Sequence, residues 1–158
     1  MTPRTARAIA TGTLVVGALD LLDAVVFFGL RGARPDRILQ SIAAGVLGPA
    51  SFQGGAATAL LGLALHFVIA FGIVMVYFIA AGRFPFLVRR PIVHGAWYGV
   101  VAYLVMNFVV IPLSNAAAGP RSVAVVVNGL LIHILGVGIP AAWFASRAHR
   151  SGTGSDGE

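Results

Sequence analysis

Four long apolar runs, Ile9 to Leu30, Ala56 to Ala81, Ile92 to Leu113 and Val123 to Ala145, constrain this chain more than any other feature of it. Each is long enough to cross the roughly 30 Å hydrocarbon core of a bilayer, which takes about 20 helical residues. Arg, Pro or Gly clusters bound each one. Membrane β-strands would read as segments of about 10 residues alternating in polarity, whereas these runs are longer and apolar all round. The expectation is an all-α fold: a polytopic membrane four-helix bundle forming a single transmembrane domain over residues 1–150.

Composition excludes the soluble alternative. With 58% hydrophobic and 10% charged residues and a mean hydropathy of +0.92, a soluble domain of this length could not hide its apolar surface. Asp20 and Asp23 interrupt the first run and no clean small-residue cleavage site follows it, so it reads as a span rather than a signal peptide. The absence of cysteine rules out disulfides and thiolate metal sites. All eleven basic residues are arginines, and the formal charge is +6. They stand at helix ends, where lipid phosphates meet them, so the lipid bilayer is the expected partner and nucleic acid is not.

Four spans place both termini on one side. That side carries Arg4, Arg7, Arg83, Arg89, Arg90, Arg147 and Arg150, against Arg31, Arg34, Arg37 and Arg121 on the other. The positive-inside rule then predicts cytoplasmic termini. Between the first two spans, residues 36–48 place Ile38, Leu39, Ile42 and Val46 on one helical face. This segment is too short to cross and reads as an interfacial helix, with a re-entrant segment as the alternative. The Gly- and Ser-rich tail, 151–158, is expected to be disordered.

Ionisable groups in hydrocarbon cost about 2.5–3.5 kcal/mol on insertion scales, so they need partners and face the bundle interior. Asp20 and Asp23 lie three apart on one face of the first span, and His66 and His133 lie near the middle of the second and fourth. Asn107 and Asn128 add amides further out. Counting about 1.5 Å per residue puts these groups at or on the outer side of the midplane. The expectation is an outward-open polar pocket of Asp20, Asp23, His66, Asn107, Asn128 and His133.

The plainest role for such a cluster is an interhelical network worth about 0.6–2 kcal/mol per bond that fixes helix order. The leading functional reading is passage of protons or a small solute, since Asp and His on helices are the usual material of proton relays. The alternative is cofactor binding. His66 and His133 would ligate haem iron axially with the outer arginines on the propionates, or Asp20, Asp23, His66 and His133 would hold a divalent metal. An accessory subunit of a larger membrane complex, or a homo-oligomer, is the remaining reading. No nucleophile with its base, no phosphate-binding loop and no HExxH motif is present, so an enzyme is not expected.

Other features read as packing. Helices two and four share a Gly-Leu-x-aliphatic-His phrase, at Gly62 to His66 and Gly129 to His133, as two helix pairs related by an approximate two-fold axis would give. Gly95 and Gly99 form a small face, and Gly136, Gly138 and Pro140 weaken the fourth helix below His133. Trp97, Trp143, Tyr98 and Tyr77 read as an aromatic belt, with His94 and His149 interfacial.

The stretch Arg37-Ile38-Leu39-Gln40-Ser41-Ile42-Ala43-Ala44-Gly45-Val46-Leu47-Gly48, then Phe52-Gln53-Gly54-Gly55, the His66 helix, and Met106-Asn107-Phe108-Val109-Val110-Ile111-Pro112-Leu113-Ser114 together resemble a group of small uncharacterised bacterial membrane proteins distantly similar to the YagU type. The resemblance covers nearly all four helices. It implies a bacterial inner-membrane protein with about four spans and draws attention to Gln40, Ser41, Gln53, His66 and Asn107. It carries over no catalytic residues.

Overall fold

The computed structural model describes residues 2–117, 119 and 122–150; the expected disordered tail, 151–158, and Arg121 lie outside them. Four helices are long and apolar enough to cross a membrane: α1 (Pro3–Gly29), α3 (Gly55–Arg83), α4 (Pro91–Leu113) and α5 (Val123–Arg150). A shorter helix, α2 (Pro35–Leu47), stands between the first two. The chain is a multi-pass helical membrane protein.

The helices begin where local chemistry dictates. α1 starts at Pro3, ahead of its apolar run, because Pro is pre-set for the first turn and the Thr2 hydroxyl accepts from the Thr5 amide at 3.2 Å. The Ser122 hydroxyl does the same for Val125 at the start of α5. The 29 residues of α3 amount to about 43 Å of helix, more than the hydrocarbon core requires.

α1 packs against α3 on one side and α5 on the other, and α4 packs chiefly against α5. α1 and α5 run antiparallel: Gly12 lies beside Phe144, Leu19 beside Gly136, and Asp23 beside Asn128. The N-terminal end of α1 and the C-terminal end of α5 therefore share one side of the bundle. The core joins Ile9 and Val16 to Val74, Tyr77 and Phe78 of α3 and to Val137, Ala141, Ala142 and Ala145 of α5. Around it, large apolar side chains such as Leu22, Leu60, Ile79, Phe108 and Leu131 point outward. Water would penalise that surface, whereas lipid tails are as apolar as leucine.

Two of the four residues of the expected aromatic belt behave differently. Trp97 and Trp143 do face outward, but Tyr77 is fully buried and Tyr98 half-buried. Their rings meet edge to face at 4.9 Å. Each hydroxyl donates to a backbone carbonyl, Tyr77 to Leu87 at 3.1 Å and Tyr98 to Ile73 at 2.6 Å. Phenolic hydroxyls can be buried when a carbonyl is in reach, and these two tie α3 to α4 and its preceding turn.

At the other end, α2 and the turn Gly48–Gln53 form a clasp on α3. Gln40 is buried and uses both ends of its amide: Nε2 donates to the Gly55 carbonyl at 2.9 Å, while Oε1 accepts from Arg37 at 3.3 Å. Arg37 also donates to the Phe52 carbonyl at 2.7 Å, and Thr58 to that of Ser51 at 2.6 Å. Asn115, after α4, donates its backbone and side-chain nitrogens to the Gly45 and Val46 carbonyls, both at 3.0 Å. A Cβ on Gly62 would collide with the Leu39 carbonyl, so glycine there is what lets α2 seat on α3.

Candidate functional site

Asp23, Asp20, Gly17 and Thr13 follow one another at steps of three or four along α1 and so occupy one face. Against the C-terminal half of that face, α5 brings Asn128 beside Asp23 and His133 beside Asp20. Asn128 Nδ2 donates to Asp23 Oδ2 at 2.7 Å. The space between α1, α4 and α5 is a cavity of about 160 Å³ whose walls include Asp20, Asp23, Asn107, Asn128 and His133, together with Phe27, Phe28 and Tyr103. Five of the six residues picked out in the sequence thus share one cavity.

Asp20 is its most unusual member. Its nearest polar contact among the described residues is His133 Nδ1, at 4.0 Å, beyond hydrogen-bond distance. That nitrogen is already committed, 2.9 Å from the Gly129 carbonyl of its own helix. A carbonyl only accepts, so Nδ1 carries a proton and, in the neutral ring, Nε2 is the free acceptor. The ring is held edge-on to Tyr103 at 5.5 Å. Asn107 donates to the Tyr103 carbonyl at 3.0 Å, which fixes its amide on the cavity wall.

His66 departs from the sequence expectation. It does not line this cavity. It is buried one helical turn deeper, and its Nε2 donates to the Gly17 carbonyl of α1 at 2.8 Å. The two histidines of the shared phrase therefore play different parts: one bonds across to α1, the other back along its own helix. Their preceding glycines differ too, for Gly62 admits the backbone of α2 and Gly129 the ring of Tyr103.

Thr13, one more step along the same face, was not singled out in the sequence. Its hydroxyl is buried without a hydrogen-bond partner, and it lines a second, apolar cavity of about 420 Å³ between α1 and α3, with Ile9, Phe67, Phe71 and Met75 in its walls. The available signal was its position seven residues before Asp20, two turns along one face.

Two π-helical turns shape the cavity, at Met106–Val110 in α4 and His133–Gly138 in α5. Each precedes a proline, Pro112 or Pro140. Proline lacks the donor for the upstream carbonyl and its ring crowds that carbonyl, so the helix widens by one residue just before it. Asn107 and His133 both belong to these widened turns. The glycines expected to pack do so: a Cβ on Gly99 would collide with the His133 carbonyl, and one on Gly138 with the Gly95 carbonyl.

For the metal reading of Asp20, Asp23, His66 and His133, no group of three or more His, Cys, Asp or Glu side chains among the described residues is arranged to hold an ion. For the haem reading, the two histidines do not converge on one space: His133 lines the cavity, whereas His66 lies outside it and gives its Nε2 to the Gly17 carbonyl. A cavity of about 160 Å³ is also smaller than the roughly 300–1,000 Å³ of ordinary ligand pockets. Neither arrangement favours a porphyrin or a metal ion. No family model, curated protein or solved structure matches the chain.

Proposed function

We propose that this protein passes protons, or a small solute coupled to them, through the polar column along α1, with Asp20 as the group that takes up and releases the proton. The observation that carries this reading is Asp20 itself, a mid-span carboxyl on a cavity wall with no hydrogen-bond donor among the described residues. An ionised carboxylate in that position is strongly disfavoured unless a proton or counter-charge joins it. Asp23 and Asn128 stand on the outer side of Asp20, and His66 and then Thr13 on the inner side, each about 5 Å further along the helix.

In this reading the molecule sits in a bacterial inner membrane, as its resemblance to the YagU type suggests. The arginines at the termini and between α3 and α4 support cytoplasmic termini. The clasp of α2 then lies at the outer interface. Gly62, its contact point on α3, is about 10 Å in from the start of that helix, which favours an interfacial seat over deep re-entry.

The Asn128–Asp23 bond favours a second reading, in which the cluster only fixes helix order. Reconstitution in liposomes under a potassium diffusion potential, with a pH-sensitive dye inside, separates the two. Passage requires wild-type flux that Asp20→Asn loses while its helical signal and melting temperature stay near wild type. Equal flux in a well-folded Asp20→Asn protein removes the relay.

A further inference from the structure

We propose that the cavity between α1, α4 and α5 binds a small organic cation, an alkylammonium or quaternary ammonium group, as the counter-charge of Asp20; this rests on the reading of Asp20 as a group that exchanges its proton. The cavity's walls combine two features that recognise such cations. Asp20 and Asp23 supply carboxyl groups, and Phe27, Phe28 and Tyr103 supply aromatic rings. A desolvated cation over an aromatic face is attracted to it, and a carboxylate close by adds charge.

The polar groups are disposed for it. Asn128 occupies Asp23 Oδ2, whereas Asp20 receives no hydrogen bond among the described residues, and His133 Nδ1 is spent on the Gly129 carbonyl. The unmet charge thus faces the cavity. No arginine lines the walls. Arg31 instead sits at the outer rim, its guanidinium 3.6 Å from the centre of the Phe27 ring and bonded to the Phe27 carbonyl at 2.8 Å. One ring of the wall already receives a cation in this structure. The volume of about 160 Å³ limits the occupant to a head group with few carbons.

The test uses the full-length protein in mild detergent at fixed pH, titrated with tetramethylammonium, choline and 3,3-dimethyl-1-butanol, the uncharged shape-match of choline, and followed by calorimetry and thermal shift. Saturable binding of the cations with at least tenfold preference for choline over the alcohol is expected. Asp20→Asn and Tyr103→Leu should each weaken it at least tenfold, and Tyr103→Phe, which keeps the ring, should retain it. Absence of cation binding, equal binding of the alcohol, or binding that survives Asp20→Asn in folded protein overturns the proposal. The two readings fail separately: wild-type proton flux lost in Asp20→Asn without cation binding removes the organic cation alone, whereas flux retained in Asp20→Asn removes the passage reading on which it rests.

Discussion

The clasp around Gln40 and the cavity around Asp20 both hold polar side chains in an apolar protein, Gln40 buried and Asp20 half-buried, and they treat them in opposite ways. Gln40 spends both ends of its amide on protein partners, one end on α2 and the other on α3. Asp20 receives no hydrogen bond among the described residues, because the His133 nitrogen 4.0 Å away is turned to its own backbone. Saturated groups hold elements in register. A group left open retains the free energy that a proton or ligand can claim.

The sharpest way to break this contrast is Asp20→Asn. The variant is expected to lose proton flux by about a hundredfold, the scale typical of removing a proton-transferring side chain, with stability unchanged or raised. A large fall in its melting temperature would place Asp20 with Gln40 among the structural residues. Next in size is Gly62→Ala, which puts a methyl group against the Leu39 carbonyl. Overpacking of this kind costs about 1–3 kcal/mol, read as early unfolding or protease cleavage between α2 and α3 while the cavity variants resist.

Gln40→Ala should follow closely. It removes the amide's bonds to the Gly55 carbonyl and to Arg37, which keeps its bond to the Phe52 carbonyl, for a loss of about 1–3 kcal/mol in denaturant titration, with proton flux per folded molecule preserved. The smallest effect belongs to Asn128→Ala, since one interhelical bond in lipid contributes about 0.6–1.7 kcal/mol. Its value lies in the comparison: Asp23 should become as unpartnered as Asp20, so a modest fall in stability should accompany altered flux. A fall in stability alone would return Asp23 and Asn128 to the structural side.

Much of this was legible in the sequence, and the reasons differ by element. Span length and hydropathy reveal the four long helices because lipid imposes a minimum run of apolar residues. The one-sided apolar pattern of 36–48, too short to cross, reveals α2. The gathering of Asp20, Asp23, Asn107, Asn128 and His133 follows from depth counting, since antiparallel spans bring equal depths together. What counting cannot supply is rotation about each helix axis. His66 lies at a suitable depth but turns toward Gly17 rather than the cavity, and Tyr77 and Tyr98 turn inward because carbonyls of Leu87 and Ile73 await them. Thr13 escapes notice because threonine is commonplace in such helices; only the unmet hydroxyl distinguishes it.

The widened turn in α5 amounts to one surplus residue carried inside a continuous helix. One residue added to regular helix would swing everything beyond it by about 100°, and the widened turn is what takes up that excess. Ala141, Ala142 and Ala145, wholly enclosed, therefore keep their places against α1 and α4. Excising one residue from 133–138 should restore ordinary winding and leave the far half of α5 in its present seam, whereas excising one from the regular turn beyond it should drive bulkier neighbours into that seam and prevent assembly.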